Sequence, residues 1–265
     1  MHIMKLAHLL AAACALCATG AHAQTQDQDS IEADRPDFVE SSKVVGKGRV
    51  QLETSVLYER DRIDEGRERT LSTPTLLRIG LAEALELRIE TDGRMVRHSN
   101  EDGRRTTESG YGDTALGLSW HARDGEGSRP SVGVHLAAEF ASGSRAFRGE
   151  GVRPSLRVVG EWELPNEVTL GVMPGIGTDR DDTGRYRYGL FGIVAEKEFG
   201  ERLRGLVEVA LPRIARGKHG GTEASFDVGG AYLLSKDVQV DAMLSRGLNS
   251  RTPEIAFTIG LSIRR

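Results

Sequence analysis

The sequence predicts an all-β chain, a single antiparallel transmembrane β-barrel of about twelve strands with both termini in the periplasm. Three observations carry that prediction. Segments of alternating polarity recur along the chain, and the connections between them alternate between long and short. No run of about 18 apolar residues follows the N-terminal leader, so no helix is expected to cross a membrane.

The clearest segment is 48–59, GRVQLETSVLYE. Val50, Leu52, Val56 and Tyr58 fall on one face with Thr54 between them, while Gln51, Glu53 and Ser55 fall on the other. A period of two is a strand with one greasy and one wet side. At about 9–11 residues such a strand crosses a bilayer when tilted.

The chain opens with a leader. Met1 to Lys5 precedes an apolar stretch over 6–18, and Ala21-His22-Ala23 stands before Gln24. This is the pattern of a secretory signal peptide cleaved after Ala23. It gives three parts: the signal 1–23, a polar lead-in or plug 24–47, and the barrel 48–265. A lipoprotein reading fits less well, because neither Cys14 nor Cys17 follows a leucine-then-small-residue pattern and Cys14 would leave the apolar core too short. Both cysteines leave with the signal, so no disulfide and no cysteine metal site is expected.

Bulk composition excludes little. The formal net charge of −4 becomes −5 once Lys5 is removed, and this mild acidity gives no reason to expect nucleic acid. The chain is 38% hydrophobic with a mean hydropathy of −0.34, as a soluble protein would be, but a barrel with a polar lumen gives the same values. Pattern has to decide.

Residues 24–47 are polar, carry Asp34-Arg35-Pro36-Asp37, and read as an extended lead-in. Twelve alternating segments follow, at 49–58, 71–79, 84–91, 112–120, 131–140, 154–163, 167–176, 187–197, 203–211, 223–233, 238–245 and 254–263. The connections 59–70, 93–111, 141–153, 177–186, 212–222 and 246–253 are long and charged or rich in glycine. Those at 80–83, 164–166, 198–202 and 234–237 are short, and 121–130 belongs with them by position though not by length. Long loops outside and short turns inside are the habit of outer-membrane barrels.

Facing agrees with a membrane barrel. In 84–90, Leu85, Leu87 and Ile89 alternate with Glu86, Arg88 and Glu90, which places apolar residues toward lipid and charges of both signs toward the interior. The same holds for Val132, Val134 and Leu136 against His135 and Glu139. It recurs in Val207, Val209 and Leu211 against Arg204 and Glu208, and in Val238, Val240 and Leu244 against Gln239 and Asp241. Aromatic girdles are expected from Tyr58, Phe140, Tyr186 and Tyr188 at the long-loop end, and from Trp120, Trp162, Phe199 and Tyr232 at the short-turn end.

Several stretches in order resemble one outer-membrane β-barrel family. They are EADRPDF from Glu32, GKGRVQLE from Gly46, TPTLLRIG from Thr73 with LELR from Leu85, GDTALG from Gly112, and Val240-Asp241 with Gly247-Leu-Asn249. The family carries a phenol meta-degradation (MetA-pathway) label, and its members are called transporters. The resemblance covers nearly the whole mature chain. It implies a barrel that takes up small organic solutes, and it brings no catalytic residues. The chain departs from the pattern at its end: such barrels finish on an aromatic residue read by the barrel-assembly machinery, whereas this one finishes Ile263-Arg264-Arg265, which bears on assembly efficiency and not on fold.

Each candidate site has two readings. Asp34-Arg35-Pro36-Asp37 either folds into the barrel mouth as a plug or remains a periplasmic lead-in, since Pro36 fixes an extended chain without saying where it goes. The pore-lining candidates by inward parity are Glu53, Glu86, Arg88, Glu90, Arg157, Glu161, Arg204 and Glu208. They either set solute selectivity as rings of charge or neutralise one another and stiffen the wall, and the second reading is favoured for any one of them. Gly110-Tyr-Gly-Asp-Thr114 is read as a tight bend and not a phosphate loop. Asp179, Asp181 and Asp182 lack calcium-ligand spacing and read as a solvated loop, so no metal is expected. A lipid hydrolase would need a histidine beside a serine on the outer rim; His135 points inward, and His98, His121 and His219 have no partner that spacing identifies.

The expectation is therefore a passive outer-membrane channel for small organic or aromatic solutes, with no catalytic residue and no cofactor. Its partners would be outer-membrane lipid, its solutes and the barrel-assembly machinery. A closed structural or adhesive barrel is the alternative.

Overall fold

In the computed structural model of the chain, residues 30–63 and 66–265 are described. The leader and the expected cleavage at Ala23 lie outside them. The strands are β1 (Val50–Ile63), β2 (Gly66–Ser72), β3 (Thr75–Ala82), β4 (Leu85–Thr91), β5 (Arg94–Glu101), β6 (Arg104–Tyr111), β7 (Thr114–Arg123), β8 (Ser131–Phe140), β9 (Val152–Leu164), β10 (Val168–Asp181), β11 (Gly184–Phe199), β12 (Leu203–Ile214), β13 (Glu223–Ser235), β14 (Val238–Gly247) and β15 (Ile255–Arg264). Twelve of them, β1, β3, β4 and β7 to β15, form a closed antiparallel ring, each paired with its neighbours in that order. β15 closes against β1 from Gln51 opposite Arg264 to Arg60 opposite Ile255. Each of the twelve alternating segments is one strand of this ring. Closure leaves no free edge within the ring, which is what lets a sheet sit in a solvent that cannot hydrogen-bond.

The remaining strands correct the sequence reading. Residues 59–70 and 93–111 are not loops. The far half of β1 pairs with β2, β2 with β5, and β5 with β6, so the sheet continues past the ring as a four-stranded blade. Likewise 177–186 is mostly strand, because β10 and β11 stay paired to Asp181 and Gly184. Beyond the bilayer both faces of a strand are wet, so the apolar alternation that marks a membrane strand fades while the pairing goes on. Three chains turn from ring to blade at one level, at 73–74, 92–93 and 112–113, where the Thr73 amide donates to Asp92 and that of Gly112 to Gly93. Gly93 has φ +63°, and a Cβ there would lie 2.3 Å from the Thr73 carbonyl oxygen, so only glycine fits this corner.

The outside of the ring is apolar. Val50, Leu52, Val56, Leu118, Leu136, Val207, Val228, Leu244, Ile259 and Leu261 are all exposed large hydrophobics, while Gln51, Glu53, Glu86, Arg88, His135 and Glu208 are buried inside. A soluble barrel reverses this arrangement; the exposed belt is a lipid-facing surface. Trp120, Phe199 and Tyr232 are exposed at the short-turn end, and Tyr58 and Phe140 at the other. Tyr186 and Tyr188 do not join that girdle. They share the inward parity of buried Leu190 and Val194, with Tyr188 against the interior apolar cluster and Tyr186 stacked on His219.

A ring of twelve strands is wider than an eight-stranded one, which side chains alone can fill. Here residues 30–49 run inside. The Ile31 amide donates to Lys236 in the β13–β14 turn, the segment visits the walls of β12, β9 and β4, and Gly48 returns to Gly80 at the β3–β4 turn. Both ends of the segment, and the last residue of β15, therefore lie at the short-turn end.

Candidate functional site inside the barrel

The inserted segment has no regular structure, so its backbone donors need partners, and inward carboxylates supply them. Glu53 accepts the Asp34 amide at 3.0 Å, Glu208 those of Phe38 and Val39 at 2.9 and 2.8 Å, Glu161 that of Ser42 at 2.9 Å, and Glu86 that of Val45 at 2.9 Å. Glycines let the chain lie close to the wall. A Cβ on Gly192 would come within 2.6 Å of Val39 and 2.9 Å of Phe38.

Four arginines of the wall, Arg78, Arg88, Arg157 and Arg204, tie it to the segment. Arg88 reaches Asp34 at 2.6 Å, Glu40 at 3.4 Å, Glu86 at 3.3 Å and Glu90 at 3.1 Å. Arg78 reaches Glu86 at 2.9 Å and Glu53 at 3.2 Å, and donates to the carbonyls of Glu32 and Lys43. Arg157 pairs with Glu40 at 2.7 Å. Arg204 pairs with Glu196 and donates to the Arg35 carbonyl, while the Arg35 guanidinium meets Asp241 at 3.2 Å. All eight residues singled out by parity thus point inward, and Glu53, Glu86, Glu161 and Glu208 hold backbone of the inserted segment, a role that spacing did not suggest. Arg78 was missed. Its position between Leu77 and Ile79 on a strand was the available signal.

The electrostatics of the segment are uneven. Burial raises the Asp34 carboxyl, but the Arg78 and Arg88 guanidiniums outweigh it and hold the group well below the usual carboxylate range. At Asp37 burial and then Glu196 push the carboxyl well above that range, with Arg204 offsetting only part. Asp37 Oδ1 has no hydrogen-bond partner among the described residues.

The opposite wall is apolar. Val159, Met173, Leu190, Val194 and Leu206 are buried together with Val39, and Phe38, Tyr188 and Met243 pack on them. The strip climbs from Leu206 to Tyr188, where the Arg213 guanidinium lies 5.0 Å from the ring centroid. Above it a polar layer gathers Asp179, which accepts from Arg213 at 2.9 Å, and Asp181, which meets His219 at 2.6 Å. These aspartates are thus engaged with basic side chains. Asp113, in the segment read as a tight bend, accepts the amides of Gly143 and Gly149 and pairs with Arg153, and so fastens the 141–151 loop. Between the inserted segment and the β9–β13 wall lies a cavity of about 360 Å³, lined by Val39, Lys43, Glu161, Val194, Glu196 and Arg204 among others.

One pair bears on catalysis. Ser119 Oγ lies 2.6 Å from His135 Nδ1, and Glu40 approaches the same nitrogen at 3.6 Å, while Nε2 has no partner among the described residues. A nucleophile–base–acid relay needs serine and acid on opposite ring nitrogens, so this trio is not arranged as one.

Residues 33–264 match the family described as "Putative MetA-pathway of phenol degradation", and the chain belongs to that family. Among solved structures it is similar to an outer-membrane channel from Pseudomonas putida F1, with a TM-score of 0.63 at 10% identity over 88% of this chain and 100% of that one. It is also similar to the translocator domain of the autotransporter NalP from Neisseria meningitidis (TM-score 0.54, 13% identity, 83% and 90% covered) and to the NanC porin (0.50, 12%, 80% and 98%). At these identities the likeness is one of fold, that of an outer-membrane β-barrel. No curated protein matches the chain in sequence.

Proposed function

We propose that the protein is an outer-membrane channel through which small organic solutes diffuse, with residues 30–47 as an internal plug that sets how readily they pass. The observation that carries this reading is the two-sided lumen. The 360 Å³ cavity beside the plug begins at the short turns and meets, at Val39 and Val194, the foot of the apolar strip that climbs to Tyr188. A cavity of that size suits a small organic molecule. Apolar surface on one side would take the hydrocarbon part of a solute, and the charged wall of Arg88, Glu90 and Arg157 would favour a polar substituent. The process requires neither cofactor nor bond-making. In this reading the exported chain is placed by the barrel-assembly machinery with its long-loop end outward and its short turns in the periplasm.

Liposome swelling with a panel of solutes tests this. Small aromatic alcohols and acids are expected to enter vesicles holding the protein faster than sugars of equal mass. Entry of no solute, with the plug present or removed, would favour a closed structural barrel, which the dense ion pairing around Arg78 and Arg88 would otherwise suit.

A further inference from the structure

The blade carries an unbalanced charge on its outward face. Pairing sets out the rows. Leu244, Phe257, Tyr58, Leu71 and Val96 lie side by side as the last apolar row of the lipid-facing belt. Two residues further out, the next row reads Arg246, Ile255, Arg60, Arg69 and His98, and the row beyond it reads Arg62, Arg67, Asn100 and Arg105. Arg60 therefore stands directly opposite Arg69, and Arg62 opposite Arg67. Like charges placed directly across a strand pair are destabilising.

Among the described residues, counter-charge on this face is scarce. Among the described residues Glu254 alone serves this face, shared by Arg60 at 3.3 Å, Arg62 at 2.9 Å and Arg246 at 3.7 Å. Arg67, Arg69 and Arg105 have no acidic partner among those residues. Together with His98 and Asn100 they line a depression of about 400 Å³. Exposed arginines immediately beyond an apolar belt lie where a leaflet holds its headgroups, and a guanidinium fork matches phosphate with two hydrogen bonds. We infer that this face binds the phosphate groups of lipid in the leaflet at the long-loop end, with Arg67, Arg69 and Arg105 as the principal donors. The phosphorylated glycolipid of an outer leaflet has the required chemistry, two phosphates on a disaccharide at the boundary of its acyl chains. The inference needs the barrel and its placement in a membrane, and does not depend on whether the lumen conducts.

The test uses the full-length protein refolded in phosphatidylcholine vesicles, titrated with diphosphoryl lipid A, with the same lipid lacking phosphate, and with inorganic phosphate. Binding is read from lipid retained after repurification and from tyrosine emission, since Trp120 and Trp162 lie at the opposite end. Diphosphoryl lipid A is expected to bind, the dephosphorylated lipid to bind far more weakly, and millimolar inorganic phosphate to leave the bound lipid in place. In the triple variant R67Q/R69Q/R105Q affinity should fall on the order of 100-fold, since each near-surface arginine contributes about fivefold. Lys236→Gln, at the opposite rim, should change nothing. Binding to the parent that weakens as salt rises gives a second measure, independent of how the variant folds. Equal binding of phosphorylated and dephosphorylated lipid, or unchanged binding by a correctly folded triple variant, would overturn the inference. Ready displacement by inorganic phosphate would overturn the assignment to lipid.

Discussion

Arg88 Nη2 on β4 lies 2.6 Å from Asp34 Oδ2 on the inserted segment, inside the ring and away from solvent. The contact joins wall to plug, and it is backed by three further acids on the same guanidinium. Removing the cation leaves buried carboxylates uncompensated, and breaking a buried pair this way costs about 3–5 kcal/mol. Arg88→Met is therefore expected to loosen the segment. A cysteine introduced at Val39 in residues 24–265, which contain no other, should stay unreactive toward maleimide in the parent and react in the Arg88→Met background. Equal protection in both would separate Arg88 from plug retention.

Gly192→Val attacks the same docking from the apolar side without touching a charge. Its side chain would occupy the space of Val39 and Phe38, while the ring retains its pairing. Trypsin should then cut after Lys43 in a barrel that still runs as a compact band on unheated gels. Resistance equal to the parent would mean that the segment has room to shift.

The legible part of the fold was the ring. A strand residue in a membrane barrel has only two environments, so parity alone placed Leu87 outward and Arg88 inward, and the alternation counted the strands. The blade was illegible because above the bilayer both environments are water. Arg104–Tyr111, RRTTESGY, pairs as a strand and yet shows no apolar face. The inserted segment could not be placed because its contacts are remote in sequence. Arg35 meets Asp241 across 206 positions, and no local pattern announces that. Tyr186 and Tyr188 were misplaced because end-of-strand aromatics suit a girdle, whereas here their parity follows Leu190 and Val194 into the lumen.

Facing has an energetic consequence. Leu87 pairs with Leu118 and Ile79 on the outer surface. Leu87→Arg should lower stability by about 2–4 kcal/mol if the site is near the bilayer midplane, and Leu85→Arg, close to the short turns, by less. Denaturant midpoints in vesicles measure both. A larger loss at Leu85 would shift the belt along the barrel.

The plug should loosen with rising pH through Asp37. Its carboxyl is raised in the folded state, so the protonated form is bound more tightly there. Its contribution is fully present below the ordinary value of 3.8 and is lost as the pH climbs through the raised one. Asp34, held low, contributes above its ordinary value and loses that contribution only in stronger acid. Hydrogen exchange at the Phe38 and Val39 amides, corrected for its intrinsic pH dependence, should accelerate as the pH climbs through the raised value, and Asp37→Asn should flatten the response. An identical slope in Asp37→Asn would assign the effect to another group.

Residues 30–47 are proposed to limit passage through the lumen. Planar-bilayer conductance of refolded residues 24–265, compared with that of residues 48–265, tests this. Small or intermittent currents are expected from the longer chain and a steady conductance several-fold larger from the shorter one, both running as folded barrels. Equal conductance from the two proteins would contradict it.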